Sequence, residues 1–398
     1  MIKSIHIDNF KALNNATIDF TPLTVLIGDN SVGKTTVLQA VAFLKYCCNA
    51  TFDKFLDERK LTVSEICSKF SNKKTISFST ILCLNDQTIQ WDLSLMRSKD
   101  RLVLNNERII AGNETVLQYS VNGASYRLNA KTGKKDSVME GSFSSSIVQF
   151  TDLEKQKDIY PVLASVKTFF YNMETLDLLS PYNMKGSSQG ESDVIGLSGE
   201  KLGSFIKRMP VSEREELAKD VRKFVKTFSA VIPKTKQYGW VHLEAKETYN
   251  GKSIDVSSPN ISDGILRIIA LCSLRFLKNT NGAILLDEIE DGINNEHLEL
   301  LVQVLREIQQ EKNVQIIATT HNTMLLDYWI DKRIIDLNEE PDIQTQKESV
   351  VFLCRGTMGD VIAKDILTSE IIRDKLTYMF PGEVIQNMTN SQLREALL

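Results

Sequence analysis

The amino-terminal fifty residues carry a hydrophobic pattern that predicts two pairing strands, a buried strand and a helix. Residues 2–8 and 16–20 alternate apolar with polar side chains, as the strands of a half-buried hairpin do. By contrast, "LTVLIG" at 23–28 is continuously apolar and ends in glycine, which indicates a strand covered on both faces. A helix is expected to follow from about Lys34 to Cys48.

The pattern of apolar and polar residues changes twice in the middle of the chain. Short alternating runs separated by Asn, Asp and Gly fill 75–150 and predict antiparallel strands. Helical periods dominate from about 159 to 230. We therefore predict five segments: the first half of a core at 1–50, an antiparallel β-rich insertion at 51–158, a helical subdomain at 159–258, the second half of the core at 259–336, and a carboxyl-terminal appendage at 337–398.

The second half of the core repeats a strand and helix pattern. Two apolar runs, "GAILLDE" at 282–288 and "NVQIIATTH" at 313–321, flank an amphipathic helix. Strands that alternate with helices imply a parallel sheet with crossover connections. The expected fold class is α/β, with a mixed or parallel sheet, an inserted antiparallel β subdomain and a helical subdomain.

Composition narrows the class of protein. The 398 residues are 42% hydrophobic and 25% charged, which is ordinary for a globular protein, and the net charge of −4 provides no overall basic field for nucleic acid. No apolar run reaches membrane-spanning length, and the amino terminus lacks the apolar stretch of a signal peptide. The six cysteines lack the paired spacing of a zinc site. We expect a cytoplasmic protein with reduced thiols and no membrane contact.

The strongest chemical signal is "GDNSVGKTT", which matches the Walker A pattern Gly-x-x-x-x-Gly-Lys-Thr between an apolar strand and a helix. Glycines let backbone N–H groups surround a phosphate, and the helix start adds partial positive charge. Lys34 would reach the β- and γ-phosphates of ATP, and the Thr35 hydroxyl would bind Mg²⁺. The predicted nucleotide-binding residues of this loop are Gly28, Asn30, Ser31, Gly33, Lys34, Thr35 and Thr36.

Two further strand ends carry candidate catalytic groups. "ILLDE" places Asp287 and Glu288 at the carboxyl end of a buried strand, where open α/β sheets bind ligands. Asp287 would complete the Mg²⁺ site, and Glu288 would polarise the attacking water as general base. His321 follows the next strand and would contact the γ-phosphate, although a strand-end histidine can also be structural. Lys34, Glu288 and His321 form the predicted catalytic set.

A second helix start lies in "PNISDGILRIIAL" at 259–271. Ser262 can be a simple helix cap. Together with Gly264 it also offers a hydroxyl, bare backbone N–H groups and a helix dipole, which suit an exposed phosphate. From these residues alone, the phosphate could belong to the same chain or to a neighbouring one.

The order of these motifs resembles that of ABC-type ATPases, and more narrowly the OLD- and RecF-like branch related to SMC proteins. The resemblance rests on the Walker A loop, the Ser-x-Gly helix start, "LLDEIEDG" and the strand ending in histidine. It implies a P-loop ATPase head in which Ser262 and Gly264 are donated to the γ-phosphate of a partner copy. Two or more copies would then enclose their ATP molecules. Lys11 in "NFKAL" would contact nucleotide phosphates, and Asp291 would lie in a loop at the dimer seam, unless it is a solvated turn residue.

The chain also departs from that family pattern. It has no heptad arm, its residues after His321 lack the carboxylate pattern of a nuclease domain, and Gln149 is only a weak candidate for the glutamine that links nucleotide to the second subdomain. Relatives of this kind resemble ATPase subunits of bacterial anti-phage defence systems. We expect an ATPase that dimerises around two ATP molecules and gates a separately encoded effector. The alternatives are a clamp on duplex DNA and a nucleotide-gated scaffold that sequesters a toxin.

Overall fold

The computed structural model describes residues 1–138, 141–176, 179–330, 337, 346–357 and 359–397. Its strands form three sheets. The first is antiparallel, in the spatial order β2-β1-β4-β5-β6-β7-β8-β9. Its strands are β1 (Ile2–Asp8), β2 (Ala16–Asp19), β4 (Thr75–Leu84), β5 (Gln87–Ser98), β6 (Arg101–Ala111), β7 (Glu114–Ser120), β8 (Tyr126–Leu128) and β9 (Lys135–Ser137).

The second sheet is the central one and has the order β10-β15-β16-β3-β17-β18. Its first five strands are parallel, and the last pairs antiparallel with its neighbour. Its strands are β3 (Leu23–Gly28), β10 (Glu174–Leu176), β15 (Ala283–Leu286), β16 (Gln315–Thr319), β17 (Glu348–Arg355) and β18 (Val361–Asp365). This mixed sheet and its covering helices confirm the predicted α/β fold class.

The third sheet is small and antiparallel, with β13 at its centre. Its strands are β11 (Ser188–Gln189), β12 (Phe228–Thr235), β13 (Trp240–Tyr249) and β14 (Lys252–Ser257).

The helices cover the sheets on several sides. They are α1 (Lys34–Asn49), α2 (Phe52–Glu58), α3 (Val63–Ile66), α4 (Pro161–Tyr171), α5 (Pro181–Met184), α6 (Leu202–Arg208), α7 (Val211–Phe224), α8 (Asp263–Ser273), α9 (Leu298–Lys312), α10 (Leu326–Trp329), α11 (Glu370–Leu376), α12 (Pro381–Asn387) and α13 (Asn390–Leu397). In the part of the chain that is described, none of the helices combines the length and apolar character needed to cross a membrane.

The central sheet is buried on both faces, which explains its continuously apolar strands. Along β3, Val25 and Ile27 belong to one core cluster, together with Leu266 of α8 and Leu301 of α9. The intervening Leu26 belongs to the other cluster, which includes the apolar residues of α1 and of the antiparallel sheet. The carboxyl ends of the parallel strands therefore meet at one edge, between two packed layers.

Three sequence-based expectations differ from the structure. The helical prediction for 159–258 is wrong for 228–257, where β12, β13 and β14 form. It also missed β10, which pairs with β15 in the central sheet. The expected appendage is partly core, because β17 pairs with β3. The segment boundary predicted at 336 lies outside the described residues.

Candidate functional site

The Walker A loop joins β3 to α1 and is fixed at both of its glycines. Gly28 has φ 138°, and a Cβ atom there would collide with the carbonyl oxygen of Leu353 in β17. Gly33 has φ 117°, and a Cβ atom there would lie 3.1 Å from Leu13. Glycine adopts both conformations without the strain that a side chain would add, and the neighbouring atoms leave little room for a Cβ at either position. Between these glycines Asn30 and Ser31 are exposed, and the backbone of Ser31 adopts the left-handed conformation with φ 64°.

Lys34 places a buried ammonium group inside this loop. Its Nζ donates to the carbonyl oxygens of Gly28, at 2.7 Å, and Asp29, at 3.0 Å. Burial lowers the pKa of Lys34, and the nearby carboxylate of Asp287 opposes that shift. A poorly hydrated cation surrounded by loop backbone can bind phosphate oxygens strongly.

Thr35 and Asp287 meet across the two halves of the core. The Thr35 hydroxyl donates to Asp287 Oδ2 at 2.9 Å, and the Thr319 hydroxyl donates to Asp287 Oδ1 at 2.5 Å. Thr319 ends β16, which pairs with β15 in parallel register, as the adjacent strands in the sequence predicted. The sequence offered no signal for Thr319, because a threonine in an apolar strand is usually packing. Thr36, which follows Thr35 at the start of α1, is buried.

Glu288 and His321 lie together at the same edge. Glu288 has φ 47°, a strained conformation for a side chain of this size, and its N–H donates to Thr319 Oγ1 at 2.9 Å. Its carboxylate Oε1 is 3.4 Å from His321 Nε2, and both side chains remain about half exposed. The backbone N–H of His321 donates to Glu290 Oε1 at 2.7 Å. Glu290 is therefore a second residue that sequence analysis missed.

The Ser262 helix tip is held by its own chain. Ser262 caps α8, and its Oγ accepts from the Ile265 N–H at 3.3 Å. Asp263 pairs with Lys185 at 2.7 Å. Gly264 packs so tightly on the carbonyl oxygen of Gly292 that a side chain would not fit. Ser262 itself is exposed.

Asp291 belongs to the loop that braces this tip. Its carboxylate forms an ion pair with Arg267 of α8 at 2.5 Å, while its side chain stays 54% exposed. Its N–H donates to the Glu288 carbonyl oxygen at 3.0 Å. The loop from Glu288 to Gly292 thus connects the sheet edge that carries Glu288 and His321, the candidate catalytic edge, to the start of α8. Asp291 is ion-paired within that connection.

Lys11 lies beside the phosphate loop. Its Nζ donates to Gln39 Oε1 of α1 at 2.6 Å. The residues that follow it, Ala12 and Leu13, lie next to Gly33. Lys11 is therefore about one helical turn from the loop, close to the start of α1.

Gln149 lies at the opposite end of α1. The neighbouring Ser146 N–H donates to the Cys47 carbonyl oxygen, near the last residues of that helix. Because α1 has 16 residues, its two ends are roughly 24 Å apart. The suggestion that Gln149 contacts nucleotide is wrong. The chain segment beside Asp287 is instead the end of β10, where Leu176 pairs with Leu286.

The chain is similar in sequence to several known proteins. A protein named ATP/GTP phosphatase from Helicobacter pylori is 22% identical over 336 residues, covering 81% of this chain and 85% of that protein. A protein named Retron Vc95 probable ATPase, from Vibrio cholerae, is 24% identical and covers 79% of this chain and 69% of its own length.

The solved structure of an SMC head bound to the C-winged helix domain of ScpA covers 92% of this chain and 97% of its own chain, with a TM-score of 0.52 and 13% identity, and it shows the fold alone. The family model described as AAA ATPase domain matches residues 1–326. With its Walker A loop and paired acidic strand end, this chain belongs to the AAA ATPase domain family and is a nucleotide-binding ATPase.

Proposed function

We propose that ATP joins two copies of this chain, each copy lending the Ser262 tip to the triphosphate held by the other. The observation that carries the proposal is the way the tip is braced. It is exposed at Ser262, yet fixed from behind by Gly292 and by the pair of Asp263 with Lys185. A rigid, exposed helix start presents N–H groups and partial positive charge to an anion outside its own chain. The assembly would be a homodimer or a higher homo-oligomer built from such pairs.

Within each site, the chain's own residues would have separate roles. Lys34 would neutralise charge on the β- and γ-phosphates, and Glu288 would take the proton of the attacking water. His321 Nε2, next to the Glu288 carboxylate, would bind a γ-phosphate oxygen and hold the glutamate in place. The rest of the triphosphate would be bound by Lys11 and by the loop residues Gly28, Asn30, Ser31, Gly33, Thr35 and Thr36.

The donor set at Thr35 and Asp287 fits Mg²⁺. A hydroxyl and a carboxylate lie within hydrogen-bonding distance of each other, and Mg²⁺ prefers a few such oxygen ligands together with phosphate. When bound, the ion would neutralise charge on the phosphate oxygens. Among the described residues, no group of three or more His, Cys, Asp or Glu side chains could hold a metal.

Mixing two inactive variants tests the exchange of helix tips. Lys34→Ala removes the phosphate-binding cation, and Ser262→Arg blocks the tip, so each variant alone should be inactive. A 1:1 mixture should recover about a quarter of the wild-type ATPase rate, because half of the pairs are mixed and each contains one intact composite site. The matched control is a mixture of Lys34→Ala with Lys34→Ala/Ser262→Arg, which has no intact site. No recovery in the first mixture would contradict the proposal.

Trapping the pair supplies a second measurement. Glu288→Gln keeps the shape of the side chain but cannot accept the proton, so hydrolysis should stop and the ATP-bound pair should persist. Light scattering should then report twice the monomer mass with ATP and the monomer mass without it. A variant that stays monomeric with ATP would argue against pairing.

We further propose that pairing gates a separately encoded effector protein, in the manner of ATPases of the OLD- and RecF-like branch in anti-phage defence. The relative named as a retron ATPase supports this direction. A solved SMC head that binds a domain of another protein gives a precedent for a partner on this fold. Affinity purification of Glu288→Gln with its chromosomal neighbours, with and without ATP, tests this. An ATP-dependent nuclease or toxin partner is the expected result.

The DNA-clamp and toxin-scaffold alternatives make different predictions. A clamp should bind duplex DNA with an affinity that falls steeply as salt rises. Basic residues that could contribute to such a surface include Lys131, which pairs with Asp158, and Arg208, which pairs with Asp193. A scaffold that barely hydrolyses ATP should consume nucleotide at the same rate after Glu288→Gln, whereas effector gating requires that rate to fall. We favour effector gating because of the relative named as a retron ATPase.

A further inference from the structure

The carboxyl-terminal helices lie against the segment that follows His321. The Gly382 N–H at the start of α12 donates to Asp327 Oδ1 at 2.7 Å, and Gln386 Nε2 donates to Thr323 Oγ1 at 2.5 Å. Leu393 of α13 is 2% exposed and belongs to the main core cluster. These helices therefore form a fixed layer beside the catalytic edge.

The start of α13 reaches the Walker A loop. Asn390 Nδ2 donates a hydrogen bond to Asp29 Oδ2, across 361 residues of sequence. The start of this helix is fixed by reciprocal bonds, because the Thr389 N–H donates to Gln392 Oε1 at 2.8 Å and the Gln392 N–H donates to Thr389 Oγ1 at 3.3 Å. These bonds fix the backbone on either side of Asn390 at the start of its helix.

Asn390 and Asp29 also border the same cavity. This space of about 170 Å³ lies between the phosphate loop and the His321 segment, and it is lined by Gly28, Asp29, His321 and Asn390 among others. The carboxyl-terminal layer thus forms one wall beside the loop that binds the triphosphate.

Asp29 is an unfavourable charge at this position. It is an exposed carboxylate inside a loop that must receive a polyanion, and its backbone carbonyl already accepts from the Lys34 ammonium. Asp29 is one of the carboxylates close enough to raise the pKa of Lys34. A carboxylate free to turn toward Lys34 would compete with phosphate oxygens for the same cation.

We propose that Asn390 is a positioning residue for ATP binding, because its amide holds the Asp29 carboxylate on the α13 side of the loop and leaves Lys34 available to the triphosphate. Asn390 acts through Asp29 and does not itself contact the reacting atoms. The role concerns binding of ATP to one chain and does not depend on the exchange of helix tips between two chains.

Steady-state ATPase kinetics test this role. Asn390→Ala should raise the KM for ATP about fivefold, the scale expected for one hydrogen bond to a charged but exposed group, and leave kcat within about twofold. In the Asp29→Asn background the same substitution should change KM by less than about twofold, because no carboxylate remains to compete. The matched control is Asn387→Ala, an exposed asparagine at the end of α12, which should leave both constants unchanged.

Two further variants separate positioning from a structural role. Asn390→Asp places two carboxylates together and should raise KM more than Asn390→Ala does. Asp29→Asn/Asn390→Asp restores an amide and a carboxylate in exchanged positions and should return KM to near the value of Asp29→Asn alone. The proposal is overturned if Asn390→Ala leaves KM unchanged, or if its effect on KM persists undiminished in the Asp29→Asn background.

Discussion

Replacing Gly264 by alanine tests how the Ser262 tip is held. An alanine Cβ at this position would lie 2.4 Å from the carbonyl oxygen of Gly292, whereas ordinary contact begins near 3.4 Å. The overlap of about 1 Å is with backbone, which cannot rotate away as a flexible side chain can. Either α8 or the loop that follows Glu288 must shift.

The expected change in the free energy of unfolding of Gly264→Ala follows from two opposing effects. Overpacking of this kind costs typically 1–3 kcal/mol, and a rigid carbonyl partner favours the upper half, about 2–3 kcal/mol. Alanine in place of glycine within a helix returns up to about 1 kcal/mol. The net loss of about 1–2 kcal/mol corresponds to a fall in Tm of about 2 °C for a chain of 398 residues. The sign of this change is informative, because alanine at an unhindered helical position would stabilise the protein.

The ATPase rate of Gly264→Ala should fall strongly even though the expected loss of stability is small. A displacement of about 1 Å in a positioning element can cost on the order of a hundredfold in rate, so we expect at least a tenfold loss for Gly264→Ala. Thermal denaturation and steady-state ATPase assays measure the two quantities. Gly123→Ala is the control, because its Cβ would make only an ordinary 3.4 Å contact with Ser120. A higher Tm with full ATPase activity in Gly264→Ala would refute the tight contact.

Three other predictions concern the phosphate loop and the core. Lys34→Ala should weaken ATP binding roughly a hundredfold, measured by titration calorimetry, because the phosphate charge loses its buried counter-ion; an unchanged affinity would contradict this. Chelation of Mg²⁺ by EDTA should abolish ATPase activity, and added Mg²⁺ should restore it in the wild type but not in Thr35→Ala; full activity in EDTA would exclude the proposed ion. Burial raises the pKa of Glu107 from 4.5 to about 7, so the folded state favours the protonated side chain. The stabilisation that results is complete below pH 4.5 and is lost as the pH rises to about 7, a change of roughly 3 kcal/mol in the free energy of unfolding. In Glu107→Gln that part of the pH dependence should vanish when urea unfolding is compared at pH 5 and pH 7.5, and an identical dependence in both proteins would show that Glu107 is not its source.

The catalytic edge was predictable because each of its parts has a local signal. A buried strand followed by Gly28, Gly33 and Lys34 at fixed spacing specifies a loop geometry by itself. Asp287 follows four apolar residues, and parallel strands bring their carboxyl ends to one edge. The sequence therefore predicted which side chains meet, even though Thr35 and Asp287 are 252 residues apart.

The missed elements lack such signals. The three residues of β10 are too few for any period, and they begin with Glu174, a carboxylate that is 6% exposed and accepts from the Ile195 N–H. A charged residue at a strand start argues against burial unless its tertiary partner is known. The strands within 228–257 follow a stretch of strong helical periodicity, which extended the helical prediction too far.

Tertiary contacts outside the motifs could not be predicted from the sequence either. Gly264 can be read as a helix-start glycine or as a ligand-facing one, and the sequence gives no reason to expect the Gly292 carbonyl oxygen against it. The bond from Asn390 to Asp29 joins α13 to the Walker A loop, and the Walker A pattern gives no reason to expect Asn390 beside Asp29. Such contacts depend on how layers pack, which periodicity does not encode.

These contacts make the segment 287–292 the physical link between phosphate and helix tip. Its first residue, Asp287, accepts from the Thr35 hydroxyl of the phosphate loop, and its last, Gly292, abuts Gly264 through backbone atoms. Backbone against backbone leaves no side chain to absorb a displacement, so the tip and this segment must move together. Toward the Walker A loop, the segment is joined through the hydrogen bonds from the Thr35 hydroxyl to the Asp287 carboxylate. If two copies pair as we propose, a change at the Thr35 to Asp287 contact on loss of the γ-phosphate would move the helix tip that the partner copy receives.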